Sequence, residues 1–270
     1  MVDKKKMDLE SPFIGRNLYF EDLLERWEEL RCVGVYGMRS VGKSRFVKQL
    51  LNLVSKHLNE DDYITFTTWI DVRNLQSLRQ IYLTLSEKLN IPIMDDENDF
   101  RRAVLARISE VKQNLWIILD NAEDVIDSDL NNDFIALCKQ ITNQNVKVKI
   151  IITSTSHLSC NTFYPGMGYY DIELSPMSIL ESKELLQKSA PSVDYGIYLD
   201  KIAELCEGLP LALLMTGSEL EQDDGLLDPC DMVELLNKCR LKVLSQDLYP
   251  IQERIGKLVF FDGERISVIY

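Results

Sequence analysis

The sequence predicts an α/β fold in which a parallel sheet is flanked by helices, followed by a small subdomain built from helices alone. Three observations carry this reading. Short continuous apolar runs, at Cys32–Tyr36, Leu115–Leu119 and Val146–Ile152, alternate with longer segments of helical period, the pattern of strands buried on both faces. A Gly-Met-Arg-Ser-Val-Gly-Lys-Ser loop at residues 37–44 joins the first apolar run to a helical segment. After Pro176 the apolar runs give way to consecutive helical patterns.

The elements follow in order. From Ser44 to about Leu58, apolar residues at Phe46, Val47, Leu50, Leu51, Val54 and Leu58 form a one-sided stripe that predicts a helix lying on a sheet. Thr65–Asp71 is rich in β-branched and aromatic residues and predicts a strand. Two helices are expected at about 75–89 and 100–112, separated by an acidic loop at 95–99. The strand 115–119 ends in Asp120, a helix is expected at 133–141, and strands at 146–152 and 169–174 complete the sheet. Helices at 178–189, 195–207 and 211–220, an acidic linker at 221–231 and a helix at 232–244 follow. The expected division is an N-terminal extension at 1–12, a nucleotide-binding domain at 13–175, a helical subdomain at 176–222, and a linker with the start of a further region at 223–270.

Composition narrows the class. With 270 residues, 46% hydrophobic and 27% charged, the chain has the make-up of a globular protein able to bury a sizeable core. A net charge of −13 repels a nucleic-acid backbone, and no Lys/Arg run with interleaved aromatics counters it, so no nucleic-acid partner is expected. No apolar run approaches the ~20 residues that span a bilayer. The basic start Met1–Lys6 lacks a following apolar stretch, so neither a membrane partner nor secretion is expected and the chain is placed in the cytoplasm. Six cysteines are scattered with no C-x-x-C pair, which predicts reduced core thiols rather than disulfides or zinc. His157 and Cys160 are too few for a metal site.

Residues 37–44 fit the G-x-x-x-x-G-K-[ST] phosphate loop in its strand-loop-helix setting. The glycines let consecutive N–H groups turn inward toward phosphate oxygens, and the positive end of the following helix adds to that field. The loop residues Gly37, Met38, Arg39, Ser40, Val41 and Gly42, with Lys43, Ser44 and Arg45 opening the helix, are the predicted phosphate-binding set. Lys43 is placed to reach the outer phosphates and Ser44 to ligate Mg²⁺. A P-loop site also needs an acid at the end of a buried strand, and Asp120 fits as the second residue holding the ion. Taken alone, Asp120 reads equally well as a helix N-cap or turn aspartate at a strand end; paired with the phosphate loop, the ion-holding reading is the stronger.

Four segments then carry a resemblance: Phe13-Ile14-Gly15-Arg16, Ile150-Ile151-Ile152-Thr153-Ser154-Thr155, Leu174-Ser175-Pro176-Met177 and Cys206-Glu207-Gly208-Leu209-Pro210-Leu211. Over about residues 12–220, in this order and spacing, the chain resembles the NB-ARC branch of the STAND P-loop NTPases, which includes plant disease-resistance proteins and apoptotic protease activating factor, and the resemblance implies the incomplete start of a winged-helix-like region after Asp228, within 223–270. The resemblance implies an ATP/ADP switch that signals through a change of shape or self-association, with protein partners, in an immune or cell-death-like pathway. It implies that Phe13, Ile14, Gly15 and Arg16 pack near adenine and ribose, that Pro210 closes over the base, and that Thr153 and Ser154 stand near the γ-phosphate.

Three departures from the family pattern are visible. The position after Asp120, often a second acid that polarises water, is Asn121, whose amide orients water but cannot accept its proton. Glu123 or Asp124 are alternative acids, though neither follows from the motif. The third residue of the Thr153–Thr155 segment, often an arginine, is threonine. Neither His57 nor His157 lies where the family's winged-helix histidine contacts ADP, so the chain is expected to be the nucleotide-binding core, as a short form or a piece. Slow hydrolysis is expected, with Lys43 and Asp120 as the catalytic residues. The alternatives are a catalytic P-loop ATPase or kinase, and a nucleotide-free interaction scaffold.

Overall fold

In a computed structural model the protein is described over residues 13–57, 65–157, 168–222, 227–245, 259–262 and 265–268. Two compact units emerge. One comprises residues 17–37 and 43–174; the other comprises residues 1–16, 38–42 and 175–270.

The first unit is a five-stranded parallel sheet with its helices. Its strands are β1 (Cys32–Tyr36), β2 (Thr65–Asp71), β3 (Asn114–Asp120), β4 (Val148–Ser154) and β5 (Tyr169–Glu173), in the order β2-β3-β4-β1-β5. The chain passes from β1 out to the far edge and works back, so β1 and the loop after it lie in the sheet interior. The helices are α1 (Asn17–Arg26), α2 (Lys43–His57), α3 (Arg79–Leu89), α4 (Glu97–Ser109), α5 (Glu123–Ile126) and α6 (Asn131–Gln144). The central strands are apolar on both faces because helices cover both: Leu115 to Leu119 and Ile150 to Ile152 are all essentially inaccessible.

The stripe on α2 is an apolar face, with Phe46, Val47, Leu50, Leu51 and Val54 buried. Each such side chain contributes about 1.5–3 kcal/mol relative to exposure. Phe46 stacks on Phe20 of α1 at 4.6 Å and 10° between ring planes.

Several boundaries differ from the sequence expectation, each for a local reason. Helix α4 starts at Glu97 rather than 100, because the Asp96 carboxylate accepts the Asp99 amide at 2.8 Å and caps it. Helix α3 starts at Arg79 rather than 75 and ends where Asn90 turns left-handed at φ 55°. Strand β4 runs 148–154 rather than 146–152, since its register is set by pairing with β1 and β3. Helix α6 is longer than expected at both ends, and α1 and the one-turn α5 are additions.

The second unit is helical: α7 (Ile179–Ser189), a 3-10 turn at Gly196–Tyr198, α8 (Leu199–Leu205), α9 (Pro210–Gln222) and α10 (Pro229–Ser245), with an antiparallel hairpin of β6 (Val259–Asp262) and β7 (Arg265–Val268). The expected linker at 221–231 is shorter in the structure. Pro229 is the first residue of α10, which the Asp228 carboxylate caps by accepting the Asp231 amide at 2.8 Å. Met232 and Leu236 of α10 share one buried cluster with Leu185, Leu186, Ile202 and Leu213. The segment 195–207 is a 3-10 turn plus a short helix rather than one helix.

Among the described cysteines, Cys32, Cys138 and Cys206 are buried free thiols. Burial pushes Cys138 up to about 12 and Cys206 up to about 11, so both stay neutral. Cys160 and the side chain of Cys239 lie outside the described residues.

Lys149 is an exception inside the β4 core. Its ammonium is 6% exposed and donates to the carbonyls of Trp27 and Leu30 at 2.5 Å each, closing the end of α1, and lies 5.3 Å from the Trp27 ring centre. Burial depresses its pKa to about 8 from 10.5. Between those values the unfolded chain holds a proton that the folded chain has released, so stability rises with pH. Relative to Lys149→Met, the parent is expected to gain on the order of 3 kcal/mol from pH 8 to 10.5 in denaturant titrations. A pH-independent difference between the two proteins would contradict this.

Candidate functional site

The phosphate loop connects β1 to α2. Gly42 has φ +93°, a conformation that favours glycine, and turns the chain into the helix at Lys43. Lys43 is 9% exposed, and its ammonium donates to the Gly37 carbonyl at 2.9 Å, spanning the loop from its last residues to its first. This contact holds the charge at the loop mouth, where an anion would meet it.

Asp120 is the last residue of β3, 7% exposed, and its carboxylate is surrounded by donors. The Ser44 hydroxyl lies 2.9 and 3.1 Å from its two oxygens, the Trp69 indole donates to Oδ2 at 3.1 Å, and the Thr153 hydroxyl donates to Oδ1. Three hydrogen-bond donors offset the desolvation of a buried carboxylate. Ser44 and Asp120 are thus neighbours although 76 residues apart. Hard oxygen donors at this spacing suit Mg²⁺, which takes one or two protein oxygens and completes its shell with water and phosphate. Among the described residues no cluster of three or more His, Cys, Asp and Glu side chains forms a protein-only metal site.

Thr153 bridges further. Its hydroxyl accepts the Asn121 amide at 3.0 Å while its carbonyl accepts the Ala122 amide at 2.8 Å. Asn121 sits in the left-handed region at φ 61°, and its side-chain amide donates to Asp71 Oδ1 at 3.2 Å. Ser154, 2% exposed, accepts the Ser156 amide at 2.9 Å and so shapes the turn after β4. Of the two alternative acids, Glu123 accepts the Thr155 amide at 3.3 Å and Asp124 the Asn74 amide at 2.9 Å.

The other expected site residues belong to the helical unit. Ile14 is buried with Met177 and Leu185. The Arg16 amide donates to Glu181 Oε1 at 3.4 Å, and Glu181 also caps α7 by accepting the Ser178 amide at 2.8 Å. The Arg16 guanidinium donates to the Val41 carbonyl at the loop tip. Pro210 opens α9 as its first residue, and a Cβ at Gly42 would stand 3.7 Å from its ring and 3.5 Å from Arg16, so ring and guanidinium flank the loop tip together. Gly208 has φ +67°, and any Cβ there would lie 2.2 Å from the Met177 carbonyl. That contact, with the Met177 amide donating to the Gly208 carbonyl at 2.8 Å, joins two of the quoted segments. Trp69, Asp71 and Arg73 at the end of β2 were missed by the sequence reading. The aromatic and charged residues closing that strand were their signal.

A family model described as an AAA domain matches residues 28–159. Among curated proteins the chain is similar to plant disease resistance proteins, among them RPS5 of Arabidopsis thaliana, at 24% identity over 246 residues that make up 87% of this chain and 26% of that protein. The chain therefore spans about a quarter of that relative's length. Of solved structures, Aeropyrum pernix ORC1 in complex with DNA matches with TM-score 0.65 at 12% identity, covering 88% of this chain and 70% of that one. A signal transduction ATPase with numerous domains from Pyrococcus horikoshii, carrying a tetratricopeptide repeat sensor, matches with TM-score 0.52 at 18% identity, over 87% and 34%. At these identities the structures speak to fold alone. Loop, strand order and comparisons agree: the chain carries a P-loop NTPase domain and resembles the nucleotide-binding core of the plant NB-ARC disease resistance proteins.

Proposed function

We propose that the chain is an adenine-nucleotide switch that binds ATP or ADP with Mg²⁺ and signals through a change of shape or assembly, in an immune-type pathway. The observation that carries the reading is the convergence of Lys43, Ser44 and Asp120 at the end of an intact phosphate loop. Loop amides and Lys43 would take the phosphates, and Ser44 and Asp120 would hold the ion. Charge on the phosphate oxygens would be neutralised by an ion held there. Arg16 and Pro210 beside the loop tip support a ribose and base on that side, with Phe13, Ile14 and Gly15 shaping the segment behind Arg16. Thr153 acts as a positioning residue for Asp120. The net charge of −13 disfavours a nucleic-acid backbone as partner, and among the described residues no helix is long and apolar enough to cross a membrane; protein partners or self-association remain part of the switch reading.

ATP or ADP at 100 times its dissociation constant stabilises the fold by about 2.7 kcal/mol. For a domain of this size, that raises the melting temperature by roughly 5–10 °C. Lys43→Ala is expected to abolish the shift. Absence of a shift in the parent, or an equal shift in the variant, defeats the proposal.

Hydrolysis is expected to be slow because Asn121 presents its amide to Asp71 and has no basic group to take a proton from water. Asn121→Asp places a carboxylate against the Asp71 carboxylate. That variant is expected to release phosphate at least as fast as the parent, and to lose ~0.5–1 kcal/mol of stability at pH 7, a small value because Asp71 is 45% exposed. The like-charge pair raises one folded-state pKa, so the penalty fades as pH falls toward the unfolded value of about 3.9. A slower Asn121→Asp enzyme, or a penalty that persists at pH 3, contradicts this assignment.

A further inference from the structure

Strand β2 ends at Asp71, which pairs in register with Asp120 on β3. Two residues later the Arg73 guanidinium turns back onto Asp71. Its Nε stands 3.0 Å from both carboxylate oxygens, and Nη2 donates to Oδ2. Asp71 also receives the Asn121 amide, and its carboxyl is held below the usual range first by Arg73. Arg73 in turn feels the charges of Asp71, Asp120 and Glu123, all of which favour its protonated form. A cation thus stands beside the acid that contacts Ser44, on an ion pair that is about half exposed on both sides, at 55% and 45%.

We propose that Arg73 distinguishes ATP from ADP: with ATP in the phosphate loop its guanidinium leaves Asp71 for the terminal phosphate, and with ADP it returns to Asp71. This rests on the nucleotide-binding reading above. The resting pair is weak because it is solvent-exposed, so exchange costs little. A terminal phosphate carries more charge than a carboxylate and offers the planar fork two acceptors, so it outcompetes Asp71 when present. The end of β4 offers only hydroxyls, at Thr153, Ser154 and Thr155, and the Thr155 amide is committed to Glu123. Asp71 is therefore the competitor that sets how readily Arg73 transfers, with Asn121 holding that carboxylate in place.

The test is calorimetric titration of the full chain with Mg-ATP and with Mg-ADP, for the parent, Arg73→Ala, Arg73→Lys, Asp71→Asn and the Asp71→Asn/Arg73→Ala double variant. Arg73→Ala is expected to weaken ATP by about 10- to 100-fold and ADP by less than about threefold, the size of one lost charge-assisted contact. Arg73→Lys should fall between, since it keeps charge and loses the fork. Asp71→Asn should raise the preference for ATP over ADP several-fold, and the double variant should lose that gain. Retained ADP binding reports that each variant is folded. An Arg73→Ala protein that keeps the parent's ATP-to-ADP ratio overturns the inference while leaving nucleotide binding intact, as does a rise in preference in the double variant. A parent that binds neither nucleotide removes the nucleotide reading and this inference with it.

Discussion

The carboxylate of Asp120 is the contact through which the first unit becomes a site. It collects the Ser44 hydroxyl from the start of α2, the Trp69 indole from β2 and the Thr153 hydroxyl from β4, so one buried acid from β3 is bonded to two neighbouring strands and to the helix behind the loop. Each donor faces a cost if the acid is removed, because a buried polar group without a partner loses its hydration and gains nothing. The order β2-β3-β4-β1-β5 makes the arrangement possible, for it sets β3 between the strands that bring Trp69 and Thr153, while β4 lies beside β1. A different strand order would leave the same residues in the chain without bringing them together.

What the sequence reveals depends on whether the signal is local. The α2 stripe, the β3 run and the phosphate loop are each written in one contiguous segment, and each was legible. Asp120 was legible for the same reason, as the charged residue closing an apolar strand. Helix α1 was not, since its two buried residues, Phe20 and Leu23, make too short a stripe to announce a helix. The Asp71, Arg73 and Asn121 contacts depend on the register of β2 against β3, which nothing local encodes. Lys149 lay hidden in the other direction. It interrupts an apolar strand, and only the carbonyls of Trp27 and Leu30, over a hundred residues away in sequence, make its burial intelligible.

The helical unit follows a similar logic with backbone groups in place of side chains. Gly208 allows the Met177 segment to pass at hydrogen-bonding distance, and Glu181 caps its own helix with one carboxylate oxygen while receiving the Arg16 amide on the other. Segments 13–16, 175–177 and 206–210, which resemble family motifs as sequence, are thus tied into one packed body by two backbone contacts and one acid. The loop tip, residues 38–42, packs with that body through Arg16 and Pro210.

Asn121 places a neutral side chain where an acid would meet other carboxylates. Its backbone is held in the left-handed region by the Thr153 hydroxyl, and its side chain is spent on Asp71. An acid at this position would have to stand against Asp71 and share a field already supplied by Asp120, Glu123 and Asp124. An amide avoids that repulsion and gives up the proton acceptor that hydrolysis needs. Electrostatic compatibility at the strand ends follows from a neutral side chain beside Asp71, and the slow hydrolysis proposed above would have the same cause.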